Sequence, residues 1–258
     1  MNNQNSGMQA QVSNLLHKGL IQFGIDDSEA VIFAEKLGLY VKELELFNSV
    51  YDLTAAKNKE EIEVRHILDS LAARTELLKL KEAILKKKQT HKTTAEDMLS
   101  ESAACKNTTS KKEDDFVIAD IGTGGGLPGI PLAITMSDTN FVLVERMSKR
   151  CLFLENCAAV LGLKNVRIKN IEAERIAQNS FDIAVFRAFR PLDKKMLRIL
   201  LRTLKEGGFL AAYKAKREKI DEEMGAVRQF VNNFEIIPLH VPFLEEHERN
   251  LVIIPKKN

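Results

Sequence analysis

The sequence predicts an α/β fold in which five parallel strands are followed by an antiparallel pair, with a helical extension before the sheet. Apolar runs of strand length alternate with segments of helix length after residue 115, which indicates a parallel sheet. Before residue 86 the apolar residues recur at helical spacing and hardly alternate. The 258 residues allow one large α/β domain and a smaller unit.

The chain therefore divides into three predicted parts. Residues 1–85 form an N-terminal helical region, in which Ile67, Leu71 and Leu77 follow the helical period. Residues 86–115 are rich in Lys, Thr, Ser and Asn, and this composition favours a low-complexity linker or insertion over a functional basic arm. Residues 116–258 carry the sheet.

Seven apolar segments are the predicted strands. They are residues 116–121, 141–145, 166–169, 181–186, 208–213, 234–241 and 251–255. The last two are separated by only about nine residues, too few for a helical crossover, so we expect them to pair antiparallel. Five parallel strands with a terminal antiparallel pair are typical of Rossmann-like methyltransferases.

Composition excludes several classes of protein. The net charge of +2 is too small to identify a nucleic-acid partner. No stretch approaches the roughly 18 uncharged apolar residues that a membrane helix needs, and the polar start does not resemble a signal peptide, so we expect a cytoplasmic protein without a membrane partner. The three cysteines form no close pair, which predicts neither a disulfide framework nor a metal site.

A glycine-rich loop follows the first predicted strand. Residues 120–129 read Asp-Ile-Gly-Thr-Gly-Gly-Gly-Leu-Pro-Gly, and glycines such as Gly124 let the backbone turn sharply and contact a ligand. Asp120 can meet the cationic amino-acid end of S-adenosylmethionine, where a dinucleotide would bring negative phosphate. Glu145, at the end of the next strand, can accept hydrogen bonds from both ribose hydroxyls of an adenosine. The loop also satisfies the dinucleotide pattern, so a nicotinamide cofactor and a ligand-free turn remain alternatives.

Cationic side chains follow the fourth and fifth strands. Arg187 and Lys214 stand at the carboxyl ends of these strands, where parallel sheets bind ligands. Arg187 could instead pair with Asp182 or Glu174, and Lys214 could be solvated. Residues 193–219 hold nine Lys or Arg against three Asp or Glu, which predicts positive charge around the mouth of the site or a solvated basic helix face.

The sequence resembles the bacterial glucose-inhibited division protein B family, the small-subunit ribosomal RNA guanine-N7 methyltransferases. The resemblance covers most of the chain. The motifs that carry it are Phe47-Asn48 with Leu53-Thr54, residues 66–70 (His-Ile-Leu-Asp-Ser), residues 120–132, Arg187-Ala188, Tyr213-Lys214 and residues 249–252 (Arg-Asn-Leu-Val). It departs from the family pattern at Glu172, where the family commonly has arginine, and at Ala215, where it commonly has glycine.

The resemblance implies transfer of a methyl group from S-adenosylmethionine to N7 of a guanine in 16S ribosomal RNA, with the RNA or the ribosomal subunit as partner. Its implied cofactor contacts are Gly122, Leu127, Glu145, Ala173, Glu174 and Arg187. Lys214 is the second catalytic candidate beside Arg187 and would contact the substrate.

His66 and Asp69 share one helix face, which could shape the RNA pocket or dock the N-terminal helices onto the sheet. We expect a monomer. A nicotinamide-dependent oxidoreductase and a non-catalytic RNA- or ribosome-binding protein remain the alternative functions.

Overall fold

The computed structural model describes residues 13–99, 115–188, 190, 192–231 and 233–256. Within this part of the chain, one sheet has the strand order β3-β2-β1-β4-β5-β7-β6. Its strands are β1 Val117–Ile121, β2 Asn140–Glu145, β3 Val166–Asn170, β4 Phe181–Arg187, β5 Leu204–Lys214, β6 Glu235–Pro238 and β7 Asn250–Pro255. The first five are parallel, and β7 lies antiparallel between β5 and β6. The predicted fold class is confirmed.

Helices precede and flank the sheet. They are α1 Asn14–Gln22, α2 Asp27–Tyr51, α3 Lys59–Ile62, α4 Asp69–Leu71, α5 Arg74–Leu99, α6 Gly129–Thr135, α7 Ser148–Val160, α8 Lys194–Thr203 and α9 Arg217–Val227. A six-residue π-helix, Glu63–Leu68, joins α3 to α4. The carboxylate of Asp26 accepts a hydrogen bond from the Ser28 amide at 2.9 Å and so caps the long helix α2.

The two faces of the sheet pack against different helices. On one face, the N-terminal helices supply Leu20, Tyr40 and Ile67 to a core that also contains Ile118 and Leu143 of the sheet. The other face packs against α8 and α9. The N-terminal helices thus share one hydrophobic core with the sheet, which fixes them beside its carboxyl edge. The division at residue 85 stays a prediction.

Residues 86–99 are helical and do not form the irregular linker that we predicted. Helix α5 continues through them because lysine, glutamine and alanine favour helices, and Lys86 pairs with Glu82 one turn earlier at 2.7 Å. Lys88 Nζ also lies 2.8 Å from the buried carboxylate of Asp182, which ties α5 to the start of β4. The remainder of the predicted insertion, residues 100–114, lies outside the described residues.

Across the described ranges 13–99 and 115–256, with their three single-residue gaps, no helix is long and apolar enough to cross a membrane.

Candidate active site

The glycine-rich loop connects β1 to α6 at the carboxyl edge of the sheet. Gly122, Gly124 and Gly126 have φ angles of 71°, 58° and 92°, in a region that residues with side chains rarely adopt. A Cβ atom on Gly126 would lie 2.6 Å from a side-chain carbon of Ile130. A Cβ atom on Gly124 would meet nothing closer than Arg150 Nη1 at 3.9 Å. The loop is therefore packed on its inner side and open beside Gly124.

Asp120 lies beneath this loop and is fully buried. Its Oδ2 accepts hydrogen bonds from Thr123 Oγ1 at 2.5 Å and from the amide of Gly129 at 2.8 Å, so it joins the strand end to the first residue of α6. Its Oδ1 has no hydrogen-bond partner among the described residues. Burial raises the pKa of Asp120 to about 6, against the lowering effect of these hydrogen bonds. Asp120 thus holds the loop, and its contact with a cofactor stays a prediction.

Glu145 ends β2 and faces the glycine loop. Its Oε2 accepts a hydrogen bond from the Gly124 amide at 3.1 Å, and its Oε1 accepts one from the Met147 amide at 2.8 Å. The carboxylate lines a cavity of about 200 Å³, the loop cavity, which is also lined by Gly122, Ala173 and Ala188. Gly122, Glu145 and Ala173 are therefore brought together as the sequence predicted.

Two other predicted cofactor contacts, Leu127 and Glu174, do not line the loop cavity. Leu127 is buried in the core shared with the N-terminal helices. Glu174 is half-buried, and its Oε1 lies 3.2 Å from Arg190 Nη1. Glu172, the departure from the family pattern, lines the loop cavity together with Arg190. Direct contacts of Leu127 and Glu174 with a cofactor stay predictions.

The N-terminal helices support the glycine loop from below, which the sequence did not reveal. The hydroxyl of Tyr40 on α2 donates to the carbonyl oxygen of Gly125. The side-chain oxygen of Asn48 accepts from the amides of Leu53 and Thr54 at 3.0 and 2.7 Å. A Cβ atom on Gly125 would lie 3.2 Å from Leu53. The Asn48 and Leu53-Thr54 motif therefore shapes the turn on which the loop rests.

A second cavity of about 600 Å³, the arginine cavity, adjoins the loop cavity and shares Ala188 and Arg190 with it. Asp69 is at its base with a side chain only 8% exposed. Its two carboxylate oxygens each bind one arginine at 2.8 Å: Oδ2 binds Arg187 Nη1 and Oδ1 binds Arg249 Nε. Arg187 therefore pairs with Asp69, and neither of the partners considered from the sequence, Asp182 or Glu174, is bound to it.

His66 belongs to the π-helix and lies next to Arg187. Its Nδ1 is 3.4 Å from Arg187 Nη2. Burial, followed by the charge of Arg187, lowers the pKa of His66 to about 4, so the ring is neutral at pH 7. Single π-turns of this kind occur frequently at functional sites. The structure thus brings His66, Asp69, Arg187 and Lys214 to one cavity, and the roles predicted for them there stay predictions.

Lys214 ends β5 on the other side of the arginine cavity. Its Nζ is 2.6 Å from Oε2 of Glu223 on α9 and 5.8 Å from the centre of the Phe186 ring. Lys214 is opposite Asn250 in the register of β5 with β7, and the Asn250 amide donates to the carbonyl of Ala215 at 2.6 Å. Glu223 was not predicted, because a single glutamate in an acidic helical stretch carries no sequence signal.

The Lys and Arg side chains of the basic segment 193–219 do not all lie around the opening of the candidate site. Lys205, at the start of β5, binds Asp182 at the amino edge of the sheet at 2.8 Å. Arg202 donates to the carbonyl oxygens of Glu174 and Ile176 at 2.9 and 2.8 Å. Helix α8 runs from the carboxyl to the amino edge, so charges that are close in sequence end at opposite edges. Of this segment, Lys214 lines the arginine cavity, whereas Lys205 and Arg202 do not contribute to positive charge around the site.

The sheet order, the glycine loop after β1 and the buried glutamate at the end of β2 define a Rossmann-like methyltransferase. Residues 75–252 match the family described as GidB, rRNA small subunit methyltransferase G. A protein of that name from Treponema denticola is 41% identical over 251 residues, covering 95% of this chain and 94% of the relative. Relatives of the same name are 36% identical in Treponema pallidum, over 83% and 82% of the two chains, and 31% identical in Neisseria meningitidis, over 94% and 97%. The chain belongs to the rRNA small subunit methyltransferase G family.

Proposed function

We propose that this enzyme transfers a methyl group from S-adenosylmethionine to N7 of a guanine in 16S ribosomal RNA. The observation that carries the proposal is the pair of adjoining cavities at the carboxyl edge, one lined by the glycine loop and Glu145 and the other by cations. The names of the relatives, all small-subunit ribosomal RNA methyltransferases, support the substrate class. They give no support to an oxidoreductase or to a non-catalytic binding protein.

The loop cavity and the glycine loop beside it have the groups that S-adenosylmethionine requires. The open side of Gly124 leaves room for a ligand. Asp120 does not line the cavity: it is fully buried beneath the loop, where its Oδ1 has unused acceptor capacity within the described residues. Each oxygen of the Glu145 carboxylate accepts one backbone amide and has a second lone pair for a ribose hydroxyl. When bound, S-adenosylmethionine supplies a methyl group on a positively charged sulfur.

The arginine cavity suits a nucleotide of RNA. Among the described residues, its lining includes five cations, Arg65, Arg187, Arg190, Lys214 and Arg249, against the carboxylates of Asp69 and Glu223. With His66 neutral, the cavity has a positive charge that favours RNA phosphates. The cavity shares Ala188 and Arg190 with the loop cavity, so a base held in it would lie next to the methyl group of the cofactor.

The chemistry needs no general base. Guanine N7 has a free lone pair and no proton, so the N7–C bond forms as the S–C bond breaks and no proton moves. The protein residues then position the base, an effect that can contribute about 7 to 11 kcal/mol. Lys214 Nζ can donate to guanine O6 and leave N7 free. Arg187, fixed by Asp69, lines the arginine cavity next to Ala188, which borders both cavities, and from there it can contact both ligands.

The RNA partner and the place of action follow from this function. Ribosomal subunits are assembled in the bacterial cytoplasm, so an enzyme that acts on their RNA works there. We expect it to act as a monomer on the RNA or on the assembled subunit, without a metal. Within the resolved side chains, no three His, Cys, Asp or Glu groups are close enough to hold an ion.

The test has two measurements. Small subunits from cells that lack this enzyme are incubated with the protein and S-adenosylmethionine, and N7-methylguanine is mapped by chemical cleavage of the RNA strand. We expect cleavage at one guanine, and its absence would contradict the proposal. Calorimetric titration with S-adenosylmethionine and with NAD separately should give binding of the first alone.

A further inference from the structure

Glu223 and Lys214 form an ion pair on the wall of the arginine cavity. The pair joins α9 to the end of β5, with Nζ and Oε2 2.6 Å apart. Both side chains are partly accessible, 17% for Lys214 and 27% for Glu223, and both line the cavity. A donor and an acceptor with opposite charges are thus presented side by side to whatever occupies it.

The Glu223 carboxylate is anchored through one oxygen. Oε2 accepts from Lys214 Nζ at 2.6 Å and from the amide of Leu192 at 3.3 Å. Oε1 accepts no hydrogen bond from the residues that the structure describes, although the side chain borders the cavity. Glu223 is therefore held in place with an acceptor available to a ligand.

The chemistry of this pair matches one edge of guanine. That edge presents the O6 acceptor next to two donors, N1–H and the N2 amino group. Adenine presents the reverse at the corresponding atoms, an amino donor at N6 and an acceptor at N1. A lysine that donates beside a carboxylate that accepts is complementary to guanine and opposed to adenine.

We propose that Glu223 and Lys214 together determine the specificity for guanine, an inference that rests on the proposed function. Lys214 Nζ donates to O6, and the Glu223 carboxylate accepts from N1–H and N2–H. N7 lies on the other side of O6 and stays free for the methyl group. In this arrangement Glu223 contacts the substrate and also fixes the ammonium group of Lys214.

The experiment compares guanine with inosine at the mapped position of the RNA. Inosine retains O6, N1–H and N7 but lacks the N2 amino group. For the wild-type enzyme we expect kcat/KM to fall about ten- to a hundredfold with inosine, the scale for losing a hydrogen-bonding contact to a base edge. For Glu223→Ala, activity on guanine should fall and the guanine-to-inosine ratio should approach one. Glu223→Gln keeps one neutral acceptor, so its ratio should lie between those of Glu223→Ala and the wild type.

The matched control is Glu222→Gln, which removes the same charge from the neighbouring exposed residue of α9. It should retain the wild-type ratio. Affinity for S-adenosylmethionine and the melting temperature, measured for all variants, identify any that are misfolded. Wild-type discrimination in both Glu223 variants would show a purely structural ion pair and overturn the inference, as would a wild-type enzyme that does not distinguish the two bases. A wild-type enzyme that leaves every guanine N7 unmethylated would instead overturn the proposed function itself.

Discussion

The charge of Asp69 should help to hold the N-terminal helices on the sheet. Its buried carboxylate binds Arg187 at the end of β4 and Arg249 before β7, both at 2.8 Å. In Asp69→Asn the amide oxygen can still accept from one arginine, but the amino group points its hydrogens at the other. The variant therefore loses one charge-assisted hydrogen bond and weakens the second.

The size of the stability loss in Asp69→Asn can be worked out from these contacts. A hydrogen bond to a charged group contributes about 1.5 to 3 kcal/mol, and a neutral acceptor about half as much. The arginine side chains are 15% and 22% exposed, so water recovers part of the loss. We expect the free energy of unfolding to fall by about 2 to 3 kcal/mol, which for a chain of this size lowers the melting temperature by about 5 to 10 °C.

Thermal and urea unfolding of Asp69→Asn measure the effect. The matched control is Asp138→Asn, which removes an ion pair with Lys81 of the same 2.8 Å length in which the aspartate is 75% exposed. Exposed pairs contribute about 1 kcal/mol or less, so the control should change little. Equal losses in the two variants, or a melting temperature of Asp69→Asn within experimental error of the wild type, would refute the reasoning from burial.

Four further predictions concern the two cavities. Lys214→Ala should bind S-adenosylmethionine almost normally yet transfer the methyl group at least about a hundredfold more slowly in single turnovers at saturating subunit. Lys216→Ala, which changes an exposed lysine two positions further on, should transfer it at the wild-type rate. A wild-type rate in Lys214→Ala would remove Lys214 from the catalytic residues. Glu145→Ala should weaken cofactor binding by about 1 to 3 kcal/mol, with exposed Glu155→Ala as the control, and a change in Kd below about fivefold would count against the assignment. Gly124→Val should abolish cofactor binding. The control Gly24→Val, at a similar φ of 78° with open space around it, should lower the stability by a comparable amount, about 1 to 2 kcal/mol, and leave the affinity for the cofactor unchanged. Normal affinity in folded Gly124→Val would exclude the loop as the cofactor site. The pKa of His66 is lowered to about 4 in the folded protein from an ordinary value of 6.5, so between these pH values the unfolded chain binds a proton that the folded protein does not, and wild-type stability falls as the pH falls through that window. His66→Gln should therefore gain stability relative to the wild type from pH 7 to 4, and the contribution of Asp120 cancels because both proteins contain it. Parallel curves of unfolding free energy against pH for the two proteins would contradict the assignment.

The strands and the glycine loop could be predicted from the sequence because their signals are local. Alternating apolar segments and short connections define β1 to β7 within a few residues. The loop glycines and Glu145 stand at strand ends, and the carboxyl ends of parallel strands meet at one edge of the sheet. The glycine loop and Glu145 could therefore be placed at one site before any contact was known, whereas Gly122 and Ala173 were named as cofactor contacts by the family resemblance alone.

The helix across residues 86–99 shows where composition misleads. When only hydrophobicity is considered, the run of lysines at residues 86–88 predicts a solvated linker. The same lysines are good helix formers, and Lys88 gains a contact with the buried Asp182, 94 positions away. Helix propensity could have been weighed from the sequence, whereas the contact of Lys88 with a distant strand could not.

The partners of the charged residues were decided by tertiary structure alone. Asp69 meets Arg187 across 118 positions of the chain, and Tyr40 meets Gly125 across 85. The sequence showed that His66 and Asp69 share a helix face and that Arg187 and Lys214 end strands, and the family resemblance made these two cations the candidates. Arg65, Arg190 and Arg249, which line the same cavity, were not predicted as cations of the site. Which carboxylate binds which cation depends on how α2, the π-helix and α9 dock on the sheet, because an ion pair forms between groups that packing brings within about 3 Å, whatever their separation along the chain.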